Sequence, residues 1–521
     1  MKKITNILFM MLLSAGFVFG QSEVDALRYS REDLYGTARS MGMAGAFGAL
    51  GGDITGVSIN PAGIGVYRSS EVVGTLNLSN ERSSVGGINN NETTFDMDNL
   101  GFVGYFPTRN SVMPVFNFGF SFNRLKSFDR SISATGSPRS TMMDYIADWS
   151  AGVKEGNLMM GEDMPDPFYD QPWLSVLGFN SWLMFLDEGT DDRYHATPVP
   201  GNAVNRIESK ESGYMDNYDF TVGTTIDNVL NLGISLSVKN ISYNLRSDYY
   251  EDFNNQGGYT MTNWLSSSGA GVGAKFGAIY RPINELRIGL AYHTPFWYSI
   301  SESYEAQVDD DMGAFVKDLD PEYEKGVVNS GSFSNDYDFR TPGKFVASVA
   351  TVLGGRFIGS LDYELMNYAN MKLSVPSGSG DQRDWYDVDN EYISEDFKPT
   401  STVKVGMEYR FTPSIYGRLG YAWMQNPYKD EFKNSGDAFI PNSNTIYRME
   451  GDANYFTGGM GFRLSRNFFL DMALVYKTQT DELYPFPNLY TEGRQELVID
   501  ANPFELKNSS FRGMVTLGYK F

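Results

Sequence analysis

The stretch from Leu230 to Lys239 reads LNLGISLSVK. Leucine, isoleucine or valine occupies every second position, and asparagine, glycine, serine or lysine occupies the positions between them. Because successive side chains of a β-strand point to opposite faces, this stretch predicts a strand with one apolar and one polar face. The alternation recurs in the runs 403–411, 415–423 and 511–521. A soluble β-sandwich can alternate in the same way, so alternation alone leaves the class open.

The connections between such runs favour a membrane barrel over a sandwich. Short turns such as Gly354-Gly355 and Ser465-Arg466-Asn467 alternate with long connections, of which 127–212 is the largest. Short turns on one rim, long loops on the other and an even strand number are typical of bacterial outer-membrane barrels. The sequence therefore predicts an all-β fold, a transmembrane antiparallel β-barrel of about 14 strands that occupies residues 70–521 and carries long extracellular loops. The predicted strands lie near 70–78, 95–107, 114–126, 213–225, 229–244, 267–280, 285–303, 336–353, 356–370, 399–411, 415–426, 451–464, 468–480 and 510–521.

Composition narrows the possible functions. The 521 residues include no cysteine, so disulfides, thiolate metal sites and cysteine nucleophiles are excluded. Lysine and arginine number 42 against 64 acidic residues, a net charge of −22 that argues against a nucleic-acid partner. The three long connections 127–212, 304–335 and 371–398 together carry a net charge of −18, so most of the acidity belongs to predicted loops. Tyrosine and phenylalanine, 33 and 36 residues, exceed what a core needs and predict lipid-facing and interfacial positions.

The first residues resemble an export signal. Lys2 and Lys3 precede a mostly apolar run from Ile7 to Phe19, which predicts a signal peptide over residues 1–20 that is cleaved near Gly20 and Gln21. No later stretch approaches the roughly 18 consecutive apolar residues that a membrane-spanning helix needs. We therefore expect the mature chain to lie in the bacterial outer membrane, in contact with its lipids.

Residues 21–69 do not alternate, and they predict a compact segment that plugs the barrel lumen. The run Asp53-Ile54-Thr55-Gly56-Val57-Ser58-Ile59-Asn60-Pro61-Ala62-Gly63-Ile64 resembles the hatch signature of the FadL/TodX outer-membrane transport family. Its motif positions in this chain are Asp53, Asn60, Pro61, Ala62 and Gly63. The terminal Phe521 resembles the aromatic C-terminal residue through which outer-membrane barrels engage the barrel-assembly machinery.

The resemblance implies a fourteen-stranded barrel with an N-terminal hatch, which takes up long-chain fatty acids or similar hydrophobic molecules by passive diffusion. It also implies lateral exit into the membrane at a kink of the third strand, here near Pro114 to Lys126. Gly119 and Asn123 are the residues there that could bend the strand.

Aromatic residues in loop 127–212 are candidates for ligand capture. Met142, Tyr145, Ile146 and Trp149 share one face of a predicted amphipathic helix, and a second apolar cluster follows from Trp173 to Phe185. These helices can pack on each other as a cap, or they can form a ligand groove, and both can hold together. The capture candidates are Trp149, Trp173, Phe179, Trp182 and Phe185.

Several basic residues point into the predicted lumen and could bind a fatty-acid carboxylate. The candidates are Arg287, Lys404, Arg410, Arg418 and Arg512, although lumenal cations commonly pair with acids of the wall or hatch. His293 is the sole lumenal histidine predicted, so a haem-binding receptor is an alternative function, with His293 as axial ligand. A third alternative is a structural or shuttle barrel that binds exported proteins. We predict no metal, no resident cofactor and no enzymatic activity, because no nucleophile, histidine and acid constellation can be assembled.

Overall fold

Fourteen antiparallel strands close into one barrel. The computed structural model describes residues 22–521 except 162–163, 200–202, 255–256, 318, 322, 377–384 and 492–495, so the signal-peptide prediction for 1–20 and its cleavage point lie outside the described residues. The first strand pairs with both the second and the last, from Glu71 opposite Lys520 to Val85 opposite Leu506, and this pairing closes the sheet. The barrel strands are β1 Glu71–Val85, β2 Ile88–Pro107, β3 Val115–Ser127, β4 Ala203–Ile226, β5 Leu230–Phe253, β6 Gly258–Ile283, β7 Leu286–His293 with Trp297–Asp311, β8 Phe333–Arg340 with Lys344–Leu353, β9 Phe357–Asn367, β10 Pro399–Thr412, β11 Ile415–Met424, β12 Ala453–Arg463, β13 Phe468–Tyr484 and β14 Phe504–Lys520.

The remaining elements belong to the segment before β1 and to the long connections. The helices are α1 Glu23–Ser30, α2 Ala38–Met41, α3 Ile54–Ile59, α4 Met142–Trp149, α5 Glu155–Leu158, α6 Trp173–Asn180, α7 Gly313–Val316, α8 Asp387–Asp396 and α9 Asp430–Ser435, with 3₁₀ turns at Pro61–Val66, Pro167–Tyr169 and Tyr368–Asn370. Short strands outside the barrel wall or at its rim are Arg130–Gly136, Met184–Leu186, Tyr194–Ala196, Val327–Asn329, Lys372–Ser374, Tyr447–Met449, Leu489–Tyr490 and Leu497–Ile499. None of the described helices is long and apolar enough to cross a membrane.

The predicted fold class is confirmed, but several strands begin or end beyond the predicted bounds, including β5, which ends at Phe253 instead of 244, and β6, which begins at Gly258 instead of 267. Residues 79–94 were expected to form a loop, whereas β1 and β2 continue to a tight turn at Gly86 and Gly87, whose φ values of +56° and +92° suit glycine. Likewise β4 begins at Ala203, so the largest connection spans 128–202 rather than 127–212. Sequence patterning misses these extensions because polar residues on both strand faces give no apolar alternation.

Strands β7 and β8 also differ from the prediction, because each is interrupted, and the two interruptions lie side by side in the sheet. Pro295 and Pro342 lie in the two interruptions, and proline has no N–H to give to the sheet. Threonine hydroxyls replace part of the ladder: Ala274 N donates to Thr294 Oγ1 at 3.0 Å, and Phe296 N donates to Thr341 Oγ1 at 2.9 Å.

The outer face of the barrel is an apolar belt. Outward residues such as Leu236, Leu419 and Phe456 have exposures of 58%, 61% and 52%, whereas the inward neighbours Ser237 and Arg418 are buried. Tyr280, Tyr409 and Tyr519 lie on the same outer face near the short turns. An exposed apolar band with flanking aromatic residues is what a barrel presents to lipid. We call the end with the short turns the turn end and the opposite end the loop end.

The segment 22–69 runs through the lumen from the loop end to the turn end. Helix α1 lies among loop-end residues, where Tyr29 packs edge to face on Tyr243 at 6.2 Å between ring centroids. The chain then descends through α2 and α3, and Tyr67 precedes β1 at the turn end. We call residues 22–69 the hatch.

Candidate functional site

The motif Asp53 to Gly63 forms the lower half of the hatch, and its polar residues serve as caps. Asp53 precedes α3 and accepts a hydrogen bond from Thr55 N at 2.9 Å, as an N-cap does. The same carboxylate accepts from Thr37 Oγ1 at 2.8 Å, which joins α3 to the start of α2. Pro61 occupies the first position of the 3₁₀ turn that follows, where its missing N–H leaves no bond unmade.

Asn60 ties this motif to the barrel wall. Its side-chain oxygen accepts from Ala62 N at 3.1 Å, and its Nδ2 donates to Gly48 O at 2.7 Å. The same Nδ2 lies 3.3 Å from the carbonyl oxygens of Ala278 on β6 and Leu290 on β7. The asparagine therefore joins two parts of the hatch to two strands.

Glycines of the barrel wall lie in close contact with the hatch backbone. A Cβ on Gly233 would lie 2.2 Å from Pro61 O, and one on Gly289 would lie 2.4 Å from Gly48 O. Glycine on the inner face leaves space in the lumen. Here the hatch fills that space.

Buried ion pairs anchor the upper half of the hatch. Glu32 pairs with Lys239 of β5 and, at 3.0 Å, with Lys344 of β8, and Asp33 pairs with Lys477 of β13 at 2.6 Å. Burial by itself would raise the pKa of Glu32, but the two ammonium groups outweigh it and hold that pKa well below the usual range. These anchors were not predicted, because Glu32 and Asp33 lie in a segment without periodicity. A signal existed on the wall side, where alternation points Lys239 inward.

The five predicted lumenal cations divide into two groups. Lys404 pairs with Glu364 at 2.6 Å, and Arg418 pairs at 2.6 Å with both Glu408 and Asp471. No carboxylate among the described residues forms an ion pair with Arg287, Arg410 or Arg512. Arg287 instead donates to Leu50 O of the hatch. The wall thus uses most of its charge to hold itself and the hatch together.

The described cavities beside the hatch are small and, apart from one of about 40 Å³ next to Val24 of α1, are lined mostly by polar groups. Three of them have volumes of about 80, 50 and 20 Å³. The largest is at the turn end and is lined by charged groups that include Arg39, Asp53, Glu71 and Glu408. Pockets that hold drug-sized ligands measure about 300 to 1,000 Å³. Each of these three cavities is therefore too small for a drug-sized ligand.

The sheet opens between β2 and β3. Pairing of these strands runs from Pro107 opposite Val115 to Asn99 opposite Asn123 and stops there. Strand β2 itself continues toward the loop end as far as Ile88. Beyond Asn123 the two sides are bridged by side chains: Arg124 binds Asp96 at 2.6 Å, and Ser131 Oγ donates to Glu92 Oε1 at 2.5 Å. We call this interruption the β2–β3 gap. It lies in the strand where the kink was expected, beginning at Asn123, whereas Gly119 is regularly paired.

A chain of hydrogen bonds connects the start of the gap to the hatch. Asn99 Nδ2 donates to Asn123 Oδ1 at 2.8 Å, and Asn123 Nδ2 donates to Ser58 Oγ of α3 at 3.0 Å. The Oγ atoms of Ser58 and Ser121 are also 3.0 Å apart. All four side chains are buried. Helix α3 therefore closes the inner side of the gap.

The capture candidates at the loop end fall into two sets. Trp149 and Trp173, with exposures of 8% and 2%, lie in the hydrophobic core of the loop end, where Trp173 packs on Tyr304 at 4.8 Å between centroids. Phe179, Trp182 and Phe185 are only partly buried, and Trp182 lies 6.0 Å from Phe185. Thus the first two pack as a cap, and the other three remain accessible to a ligand.

The lumenal histidine is already engaged by the hatch. His293 is 5% exposed, and its Nε2 lies 2.8 Å from Ile59 O. His195, the other histidine, bonds Asp187 in the loop at 2.8 Å. Among the described residues, no group of three or more histidines and acids is arranged to hold a metal ion.

These features define a class: a closed fourteen-stranded barrel, apolar outside, whose lumen is occupied by its own N-terminal segment. This is the fold of the FadL and TodX structures. A FadL homologue from Pseudomonas aeruginosa is 12% identical, with 94% of this chain and 100% of that chain covered and a TM-score of 0.53. The Pseudomonas putida toluene transporter TodX is 11% identical, with 94% and 99% covered and a TM-score of 0.50. No protein-family model and no curated protein matched the sequence.

Proposed function

We propose that this chain carries long-chain fatty acids or similar hydrophobic molecules across the bacterial outer membrane by passive diffusion. The observation that carries the proposal is the β2–β3 gap, where strand pairing stops at Asn123 and α3 contacts the start of the gap from inside. The shared fold with a FadL homologue and a toluene transporter agrees with it. An apolar ligand that leaves through such a gap reaches lipid without crossing water, which is the favourable path.

Transport in this scheme requires the hatch to move. Ligand would first meet the accessible aromatic residues Phe179, Trp182 and Phe185, and then enter the lumen as α3 withdraws from Ser121 and Asn123. The cavities described beside the hatch are small, so ligand and hatch would compete for the same space. The enclosed ion pairs of Glu32 and Asp33 would keep the upper hatch in place while the lower half rearranges.

Uptake by cells tests the transport proposal. Cells that lack the gene and cells that carry it on a plasmid should differ in uptake of radiolabelled oleate and of toluene, with the complemented strain faster. Lipid extracted from the detergent-purified barrel should contain a copurified hydrophobic compound. Equal uptake of both compounds, together with lipid-free protein, would contradict the proposal.

A structural or shuttle barrel is the second candidate. The small cavities lined by charged groups beside the hatch favour it, since a barrel that only binds exported proteins needs no apolar passage. In-cell cross-linking from loop residues should then recover defined protein partners, and uptake should be unchanged by deletion. The haem alternative has less support, because the Nε2 of His293 is bonded to the Ile59 carbonyl. A Soret shift on haem titration that disappears in His293→Ala would revive it.

A further inference from the structure

Six arginine side chains surround the turn end of the barrel, and transport as proposed does not use them. Four are exposed in the turns or at the base of the hatch, and two lie at strand ends, where Arg281 is half-buried. This arginine ring consists of Arg68, Arg109, Arg281, Arg356, Arg463 and Arg466.

Exposed acids near the ring are few, and Glu71, Glu408 and Asp471 at the mouth of the barrel pair with bases outside the ring. None of its members forms an ion pair with a described residue, and every residue of the short turns is described. The exposed acids at this end are Asp227 and Glu285, whereas the connections at the loop end carry a net charge of −18. The molecule is therefore strongly polarised, with unpaired positive charge at one end.

Neutral oxygens accept hydrogen bonds from only some of the N–H groups of these arginines. Arg68 Nη1 donates to Gly65 O at 2.6 Å, Arg281 donates to Asn228 O, and Arg463 Nε donates to Tyr416 Oη at 3.4 Å. A guanidinium has five N–H donors in a planar fork, so most of them still face water. Bidentate binding of a carboxylate is the interaction that such free forks favour.

The alternation of side chains along the strands indicates which kind of partner can reach the ring. Arg281 follows the outward Tyr280, which is 48% exposed, and Arg463 precedes the outward Leu464, which is 61% exposed. Because side chains alternate, both arginines lie on the lumen face at the mouth of the barrel. Lipid headgroups meet the outer face, whereas a soluble molecule can approach the mouth.

We propose that the turn end is a docking surface for an acidic, carboxylate-rich segment of a soluble protein in the compartment that the short turns face. This goes beyond transport, because the ring contacts neither the β2–β3 gap nor the loop-end aromatic residues. Complementary charge would bring such a partner to the mouth quickly, and bidentate arginine contacts would set its orientation.

Binding of a defined acidic peptide tests the proposal. The probe is a fluorescent decaglutamate peptide, and the target is the full chain in nanodiscs of zwitterionic lipid. The test variant replaces the ring arginines together: Arg68→Gln, Arg109→Gln, Arg281→Gln, Arg356→Gln, Arg463→Gln and Arg466→Gln. The matched control replaces three basic residues of the loop end: Lys154→Gln, Arg193→Gln and Arg206→Gln. Heat modifiability on gels shows that each variant is folded.

The affinity for the peptide should fall by about tenfold or more in the ring variant and also at about 0.5 M salt, while the control binds as the wild type does. Equal binding by the wild type and the ring variant would overturn the proposal. The proposal would also be overturned if the peptide did not bind and the ring variant lost copurified anionic phospholipid. The ring would then be an anchor for lipid headgroups.

Discussion

At the scale of single residues, the wall glycines decide how closely the hatch fits. Gly233 of β5 has no room for a methyl group because Pro61 O occupies that place. Gly74 of β1 faces outward, where the nearest atom to an added Cβ is Leu100 Cδ1 at 3.8 Å. Glycine at the first position is therefore a requirement of the hatch, and at the second it is not.

Gly233→Ala should displace the hatch. The added carbon would lie 2.2 Å from a backbone oxygen, which has to move, and such overpacking costs about 1–3 kcal/mol. We expect a larger ion conductance of the purified protein in planar bilayers. Gly74→Ala, the control, should conduct like the wild type. An unchanged conductance in Gly233→Ala would mean that the lower hatch does not seal the barrel.

Asp389 makes the loop end sensitive to pH. It is 8% exposed on α8, and burial, with a smaller contribution from Asp25 of α1, raises its pKa to about 7. A carboxyl whose pKa is raised in the folded state favours that state when protonated, so the packing of α8 weakens as pH rises from about 4 through 7. Limited proteolysis at the loop end, measured relative to an unstructured peptide at each pH, should be faster at pH 8 than at pH 5.5. Asp389→Asn should remove this difference, and the exposed Asp430→Asn should preserve it.

At the scale of elements, the alternating pattern predicts where strands exist but not where they end. All fourteen strands lie where the apolar period-two runs place them, because each must present an apolar outer face. The extension of β1 and β2 to the turn at Gly86 and Gly87 escapes prediction, since Ser79 to Thr94 carries polar residues on both faces. The shared interruption of β7 and β8 could have been found from Pro295 and Pro342, each next to a threonine.

Among the aromatic residues of the loop end, we expect some to stabilise the core and others to bind ligand. Trp173→Ala should destabilise the loop-end core by about 3–5 kcal/mol, because a large buried side chain is removed. Faster proteolysis in the connection 128–202 would report this loss. Phe185→Ala should leave the proteolysis rate unchanged and reduce binding of a fluorescent fatty acid. The reverse pattern would assign ligand capture to Trp173 and packing to Phe185.

At the scale of the whole molecule, the closed lumen results from contacts between distant parts of the chain. Glu32 meets Lys239 and Lys344, and Ser58 meets Ser121 and Asn123. The sequence pattern predicts that the lysines face inward, and the motif marks the hatch. It does not predict which hatch residue contacts which strand residue, because the periodicity of a strand carries no information about a distant segment. The barrel was therefore predictable from the local pattern, and the contacts between the hatch and the wall were not.

In the proposed transport, hydrophobic molecules pass only when α3 moves away from β3. The chain has no cysteine, so a disulfide introduced by Ser58→Cys with Ser121→Cys would lock these elements without competing thiols. The control pair, Thr221→Cys with Ser235→Cys, joins residues whose Oγ atoms are 2.5 Å apart on β4 and β5 and leaves the hatch free.

The measurement is radiolabelled oleate uptake by cells that carry each pair, before and after reduction. We expect that the oxidised hatch pair blocks uptake, that dithiothreitol restores it, and that the control pair transports in both states. Full uptake with the oxidised hatch pair would contradict the account, because ligand would then pass without movement of α3.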